Sequence, residues 1–167
     1  AYAAPLLARN VEKLYYAVVE GELPLGPGVI DAPIGRRAES IIGRCVTPDG
    51  KPSRTEYTIL KAENSLSLAA CVPVTGRTHQ IRAQLAALDH PVLGDGKYGP
   101  AAERSRPLLL HALRLVLPDG RAFACLPPWT GPHALTQMPD PLPYGPAGAS
   151  EGPFPPDKNR AINPPLQ

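Results

Sequence analysis

The sequence has few cysteines and no long apolar run, and each scarcity excludes a class of protein. The three cysteines, Cys45, Cys71 and Cys125, are odd in number and show no Cys-x-x-Cys spacing. This argues against a disulfide framework or a zinc site and favours reduced thiols in a cytosolic compartment. No apolar run approaches the ~20 residues of a membrane span. We therefore expect a cytoplasmic protein with no membrane partner and no metal.

Length and composition indicate one ordinary domain followed by a tail. A chain of 167 residues can build a single core and hardly two. Proline is abundant, with 23 residues, and nine of them fall in residues 139–167, where no apolar period is visible. We expect residues 1–138 to form the domain and residues 139–167 to lack a core of their own. The first residues, AYAAPLLARNVEK, show neither an initial Met nor a signal-peptide layout, so we expect a chain cut from something longer, or processed.

The net charge of +2 is unevenly distributed along the chain. Residues 36–111 hold eleven Lys and Arg against seven Asp and Glu, a surplus of +4. That sign suits a phosphate backbone. Ordinary solvated charge explains it as well.

Apolar patterning predicts an α+β fold. The segment KLYYAVVEGEL (13–23) indicates a strand, and GPGVIDAPIGRR a turn with a short strand. RTEYTILKAE (54–63) alternates in the manner of a half-buried strand and should form a hairpin with SLSLAACVPV (65–74). THQIRAQLAALDH predicts a helix near 78–88, and PLLLHALRLVLPDGRAFACLPP a last pair of strands. We expect a mixed, largely antiparallel sheet flanked by helices.

The turn between the second hairpin strand and the helix is dense in hydrogen-bond donors. Thr78 is a candidate N-cap, and Arg82 lies one turn into the helix at the edge of its apolar stripe. An arginine so placed is partly buried and needs an anionic partner. A helix N-terminus beside basic side chains suits phosphate or carboxylate. The alternative is that Arg82 pairs with a carboxylate of the scaffold and that Arg77 is solvated.

Four ordered motifs resemble those of the RluA-type pseudouridine synthases. TGRTHQIRAQLAALDHPVLGDGKYG is similar to the family's T-G-R-[TS]-H-Q-[IL]-R followed by G-x-P-[IV]-x-G-D-x-x-Y. KLYYAVVEG matches a K-x-Y-x-A-x-V-x-G strand, KPSRTEY a K-x-x-x-T-x-Y strand, and LLLHALRLVLP a closing L-H-A-x-x-L strand. The resemblance covers roughly residues 9–130. The tail after about residue 138 matches no pattern of this family.

The resemblance implies an enzyme that isomerises selected uridines of structured RNA, either rRNA or tRNA, without a cofactor or a metal, and we expect it to be monomeric. The base is detached from ribose C1′, rotated and rejoined through C5. The family nucleophile is an aspartate in an H-R-L-D-x-x-T-S-G segment upstream of the K-x-Y strand. No such segment surrounds Asp31, Asp49, Asp89 or Asp95. The chain is therefore expected to be the C-terminal part of a pseudouridine synthase-like catalytic domain, incomplete at the N-terminus and inactive as given.

The resemblance also assigns roles to individual residues. Arg82 corresponds to the arginine that pairs with the catalytic aspartate, and Tyr15 to the aromatic residue that packs on the target base and can assist proton removal at C5. A cluster that grips RNA and shapes the pocket is implied for Arg77, Thr78, His79 and Gln80. Simple capping and turn bonds are the alternative for that cluster, and a core-facing ring is the alternative for Tyr15.

Other candidates rest on position alone. Lys51, Arg54 and Lys97 lie in or beside loops near the motifs, where they can contact phosphates or be solvated. The glycines of LGDGKYGP have the wrong spacing for a dinucleotide loop and predict a tight structural turn. His111, on an apolar strand, is expected to be a satisfied core histidine.

Two further functions compete with the synthase. One is an RNA-binding homologue that lacks the aspartate and acts in RNA or ribosome assembly. The other is a phosphate-handling enzyme built on the helix N-terminus. The second has no support from a Walker-type loop, a metal cluster or a Ser/Cys–His pair in the sequence.

Overall fold

A computed structural model describes residues 11–38 and 43–136. Its main sheet contains β1 (Glu12–Glu20), β2 (Gly26–Asp31), β5 (Arg54–Glu63), β6 (Leu66–Pro73), β7 (Leu110–Val116) and β8 (Ala122–Ala124). The strand order is β2-β5-β6-β1-β7-β8, and every neighbouring pair is antiparallel. A second, two-stranded sheet pairs β3 (Ile34–Arg36) with β4 (Arg44–Val46). The helix α1 is Gln80–Ala87.

The predicted fold class is confirmed, with an α+β arrangement and a largely antiparallel sheet. The strands expected near 13–21, 54–62, 66–74 and 108–117 all lie in the main sheet. The hairpin also forms as expected, since Asn64 and Ser65 connect β5 to β6 with φ of 54° and 60°. These positive values give the twist that a two-residue hairpin turn needs. The prediction for residues 139–167 concerns residues outside those described.

Two details of the prediction are wrong, the division of the strands after β2 and the start of the helix. GPGVIDAPIGRR forms two strands, β2 and β3, and the short strand β4 was not foreseen. The described residues also contain two 3-10 turns, Ala101–Ser105 and Gly131–His133. The helix is shorter than 78–88, and Thr78 is not its N-cap. His79 occupies that position with φ of 55° and makes no side-chain capping bond.

The central strand β1 is buried on both faces because apolar residues occupy both of its alternating sets. Ala17 and Val19 face α1 and pack in one core with Ile81 and Leu85 of the helix. On the opposite face, Tyr16 packs in a second core with other buried residues of the sheet, against partly buried residues of the C-terminal segment. Burial of this kind is the main stabilising term of such a sheet.

None of the three cysteines is in a disulfide. Cys71 is fully buried in β6, and burial raises the pKa of its thiol to about 12. Among the described residues, no helix is long and apolar enough to cross a bilayer.

Asp89 is a strained position at the end of α1. Its φ is 63°, a region that favours glycine, and its carboxylate is exposed beside the negative end of the helix dipole. Replacing Asp89 by Gly relieves both costs, so we expect the free energy of unfolding to rise by about 0.5–1 kcal/mol. Urea denaturation measures the change. Asp89→Ala removes the charge and keeps the strain, so an equal gain from Asp89→Ala would contradict the backbone explanation.

Candidate active site

An open cleft of about 370 Å³ lies where β1, the loop between β6 and α1, and the segment entering β7 meet. Its lining combines cations, aromatic rings and an apolar floor. The residues are Lys13, Tyr15, Pro73, Thr75, Gly76, Arg77, His79, Gln80, Ile81, Arg82, Leu108 and Leu110. No aspartate or glutamate is among these described lining residues. The cleft is therefore suited to an anionic ligand with an apolar or aromatic part.

Gln80 holds the loop that forms one wall of the cleft. Its side chain is almost completely buried, and its amide oxygen accepts bonds from the Thr75 hydroxyl (2.7 Å) and the Arg77 backbone N–H (3.1 Å). Its amide nitrogen donates to the Arg54 carbonyl and the Thr55 hydroxyl, both at 2.9 Å. Because these four bonds use the whole amide, Gln80 makes the turn bonds that were the alternative for it. Gln80 therefore holds the loop that lines the cleft, and its side-chain amide has no hydrogen-bonding capacity left for a ligand.

Arg82 forms a two-bond ion pair with Asp95. Arg82 Nε lies 2.7 Å from Asp95 Oδ2, and Arg82 Nη2 lies 2.8 Å from Oδ1. The Asp95 side chain is fully buried, and Oδ1 also accepts the backbone N–H groups of Lys97 and Tyr98, each at 3.0 Å. Such parallel, charge-assisted bonds fix the plane of the guanidinium.

The pKa values of the pair reflect this geometry. Burial raises the pKa of Asp95, but the bonds from Arg82 and the two backbone N–H groups outweigh it and hold that pKa below its ordinary value. The same side-chain bond raises the pKa of Arg82, against the opposing effect of burial. Both groups are charged at neutral pH. The Asp95 carboxylate therefore partly neutralises the positive charge that Arg82 presents to the cleft.

The resemblance to the family implied that the partner of Arg82 lies on a segment outside this chain. Within the described residues its partner is Asp95, the scaffold carboxylate that was the alternative. Asp95 occupies only Nε and Nη2, and Nη1 makes no hydrogen bond to any described residue. Arg82 lines the cleft, its side chain is 18% exposed, and its Cζ lies 5.1 Å from the Tyr98 ring centroid. One edge of the guanidinium therefore remains able to bind a second anion.

His79 lies beside Arg82 on the wall of the cleft and bonds to Tyr98. Its Nδ1 is 2.8 Å from the Tyr98 hydroxyl, and the two rings meet edge to face at 5.6 Å. Burial lowers the pKa of His79, and the positive charges of Arg82, Lys97 and Arg44 lower it further, while Asp95 acts weakly in the other direction. His79 is therefore neutral at neutral pH.

Tyr15 stands on β1 at the edge of the cleft. A β-bulge between Leu14 and Tyr15 shifts the pairing of β1 with β7, and such bulges change the direction in which a side chain points. The ring is half-buried and packs against the core on the α1 side. Burial raises the pKa of its hydroxyl, so Tyr15 presents a neutral phenol to the cleft.

Arg77 is the remaining predicted residue that the structure brings into the cleft. Its Nε and Nη2 both lie 3.3 Å from the Pro52 carbonyl oxygen, which anchors the side chain at the rim. With Tyr15, His79, Gln80 and Arg82 it makes five predicted residues on one surface.

Four predicted residues do not line the cleft. Thr78 is exposed at the turn before α1, and Lys51 is exposed where its backbone pairs with Ile34. Arg54 bonds to Glu56 at 3.2 Å and lies 3.8 Å from Asp31. Lys97 is close to Tyr98, with Nζ 5.8 Å from the Tyr98 ring centroid.

The comparison with known families decides the family of this chain. A sequence model described as RNA pseudouridylate synthase matches residues 4–87, which is half of the chain and includes β1, the hairpin and α1. The chain belongs to the RNA pseudouridylate synthase family. The resemblance inferred from the four motifs is thereby confirmed.

Relatives in this family share part of their length with the chain. An uncharacterized RNA pseudouridine synthase, YjbO of Bacillus subtilis, is 41% identical over 105 residues, which are 63% of this chain and 37% of that protein. Ribosomal large subunit pseudouridine synthase D of Nitrosomonas europaea is 43% identical over 97 residues, 58% of this chain and 28% of that protein. The chain thus spans well under half the length of these relatives.

A solved structure supports the same assignment. Human RNA Pseudouridylate Synthase Domain Containing 1 superposes with a TM-score of 0.66 and 32% identity, covering 73% of this chain and 57% of that one. The pseudouridylate synthase fold of the described residues is therefore shared with an experimentally determined domain of the family.

Several residues that line or support the cleft were not identified as site residues from the sequence. Lys13, Leu108 and Leu110 line the cleft, while Asp95 and Tyr98 support Arg82 and His79 from behind. A signal for Asp95 was present, because Asp-x-x-Tyr in a glycine-rich loop is typical of an aspartate that accepts nearby backbone N–H groups. The loop was correctly predicted as a structural turn. Gly94 has φ of 80°, and a Cβ there would overlap the Pro107 carbonyl oxygen.

Two other expectations concern histidine and metals. His111 Nε2 lies 2.9 Å from the Cys125 carbonyl oxygen, and its ring meets Trp129 edge to face. It is bonded to the scaffold as predicted, but it is half-buried and not a core residue. Among residues 11–38 and 43–136, no three His, Cys, Asp or Glu side chains cluster in a way that would hold a metal ion.

Proposed function

We propose that the complete protein converts specific uridines of structured RNA, rRNA or tRNA, to pseudouridine, and that this chain supplies every part of the site except the nucleophile. In the net reaction the bond from N1 to C1′ breaks, a bond from C5 to C1′ forms, and the proton on C5 is replaced by one on N1. We propose a cytoplasmic monomer. The family assignment supports the reaction class, and the names of the ribosomal relatives favour rRNA.

The observation that carries the proposal is that the Arg82 guanidinium is bonded to Asp95 along one edge only. Asp95 binds Nε and Nη2, and Arg82 lines a cleft whose described lining contains no carboxylate. An aspartate brought by another segment can pair with that free edge, remain ionised and be aimed at ribose C1′. This would make Arg82 a shared partner of two carboxylates.

The other cleft residues have complementary roles in this proposal. Tyr15 packs on the target base. Its raised pKa keeps the hydroxyl neutral, so it would assist removal of the C5 proton as a relay, its oxygen accepting that proton while its own hydroxyl proton passes to solvent. Leu108 and Leu110 form the apolar floor. Arg77 and His79 contact the RNA backbone, and Thr78, Lys51, Arg54 and Lys97 are proposed as outer phosphate contacts.

The experiment is pseudouridine mapping of cellular rRNA and tRNA with and without the gene. We expect one or a few sites to lose the modification and to regain it when the gene is restored. A second candidate, the non-catalytic RNA-binding homologue, is favoured by the fact that Arg82 already has a buried carboxylate partner in Asp95 without any nucleophile. If no site changes while RNA or ribosome assembly is impaired, that second function is the correct one.

The isolated 167-residue chain should have no isomerase activity. The described residues that line its cleft include no carboxylate, so ribose C1′ has no covalent partner. The measurement is release of tritium from C5-labelled uridine in rRNA and tRNA transcripts, with the complete protein as the positive control. Turnover by the chain, free of contaminating synthase, would show that the nucleophile has been misplaced.

A further inference from the structure

Tyr98 does not line the cleft, but it contacts residues that line the cleft and residues that support them. Its backbone N–H bonds to Asp95, and its ring lies beside the Arg82 guanidinium. Its hydroxyl oxygen lies 2.8 Å from His79 Nδ1 and 3.2 Å from the backbone nitrogen of Arg44. The hydroxyl is thus shared between a residue of the cleft and strand β4.

The bond from the Arg44 N–H favours one direction for the bond between Tyr98 and His79. A backbone N–H can only donate, so the Arg44 group occupies a lone pair of the Tyr98 oxygen. The remaining lone pair could accept a proton from His79 Nδ1 only if the hydroxyl proton turned to solvent, whereas donation to His79 Nδ1 pairs that proton with a described residue. A phenol that donates to Nδ1 leaves this nitrogen without a proton.

The protonation of the ring completes the assignment. Burial and the nearby cations lower the pKa of His79, so the imidazole carries one proton at neutral pH. With Nδ1 accepting, that proton is on Nε2. Nε2 makes no hydrogen bond to any described residue, and His79 lines the cleft while Tyr98 stands behind it. The backbone of His79 is held at φ of 55°, a costly conformation of the kind that persists at functional sites.

We propose that Tyr98 is a positioning residue that fixes His79 in the Nε2–H tautomer, so that the imidazole donates a hydrogen bond to an acceptor oxygen of RNA bound in the cleft. The identity of the ligand rests on the proposed function, whereas the tautomer of His79 does not. The role differs from that of a general base, because the nitrogen turned to the ligand carries the proton and donates it.

The tautomer is measured by long-range ¹H–¹⁵N NMR of the chain without RNA, and the protein contains its own references. His90 Nδ1 lies 2.8 Å from the Glu20 carbonyl oxygen and must be protonated there, whereas His111 Nε2 faces the Cys125 carbonyl oxygen and must be protonated at Nε2. We expect the pattern of His79 to match that of His111 at neutral pH. A pattern matching His90 would overturn the proposal outright.

Tyr98→Phe then removes the hydroxyl and keeps the ring. We expect His79 to lose its fixed tautomer and the complete protein to bind unmodified transcripts of rRNA or tRNA about three- to tenfold more weakly. Tyr16→Phe is the matched control, because the Tyr16 hydroxyl is buried on the other sheet face and bonds to no described residue. This control should change neither the His79 spectrum nor RNA affinity.

The outcomes separate the two proposals. If the tautomer is confirmed and Tyr98→Phe leaves RNA affinity unchanged, His79 is not a donor to RNA and the inference fails. If the wild-type complete protein binds none of the transcripts, the proposed function fails, while the NMR result still decides the tautomer.

Discussion

Replacing Arg82 by alanine should lower the free energy of unfolding of this chain by about 3–5 kcal/mol. The variant leaves the Asp95 carboxylate fully buried without its charged partner, and only the backbone N–H groups of Lys97 and Tyr98 remain to stabilise it. Burial already raises the pKa of Asp95, and Arg82 is the largest opposing influence. Urea denaturation at neutral pH measures the change in the free energy of unfolding.

Two controls show whether charge is the cause. Arg121→Ala breaks an exposed ion pair with Asp119 and should change stability far less, because water solvates both partners. Adding Asp95→Asn to Arg82→Ala removes the buried charge while an amide oxygen still accepts the backbone bonds, so part of the lost stability should return. If the double variant is no more stable than Arg82→Ala, the loss arises from packing and not from the uncompensated carboxylate.

Stability should depend on pH through the same pair. The pKa of Asp95 in the folded state lies below its ordinary value near 3.8, so this aspartate stabilises the fold above the unfolded pKa. That contribution is lost as the pH falls through the folded pKa.

In the complete protein, Arg82→Ala and Arg77→Ala should have opposite effects. Arg82→Ala removes the cation that would keep the nucleophile ionised and aimed, so turnover should fall on the order of 10²-fold or more. RNA affinity should change much less, because other cations share the phosphates. Arg77→Ala, at the rim, should weaken binding and reduce the salt slope by about one, with a smaller effect on chemistry. RNA affinity across a salt series and the single-turnover rate measure both effects.

Local patterns predicted the main sheet well. In β5, Thr55, Tyr57 and Ile59 are buried while the intervening residues are more exposed, which is the alternation visible in the sequence. The strands β3 and β4 are three residues long and pair with each other. Segments this short carry no measurable period, so β4 could not be predicted.

The start of α1 and the pairing of Arg82 with Asp95 could not be predicted from the sequence for a different reason. Thr78 is a residue type that commonly caps helices. The turn is held instead by the Gln80 side chain, which bonds to the Thr75 hydroxyl and the Arg54 carbonyl, and these bonds join separate elements of the fold. Arg82 was correctly predicted to be partly buried. Its pairing with Asp95, 13 positions later, depends on how the LGDGKYG loop folds back against α1, and no local pattern contains that information.

The central claim is that Arg82 orients a carboxylate supplied by another segment for attack on ribose C1′. The most direct test is the single-turnover rate of the complete protein at saturating RNA, compared among wild type, Arg82→Lys and Arg82→Ala at a temperature where each variant is folded. We predict a fall on the order of 10²-fold or more for Arg82→Ala and a smaller fall for Arg82→Lys, which keeps the charge but not the two-bond geometry. A normal saturated rate in Arg82→Ala, with only RNA binding weakened, would contradict the account.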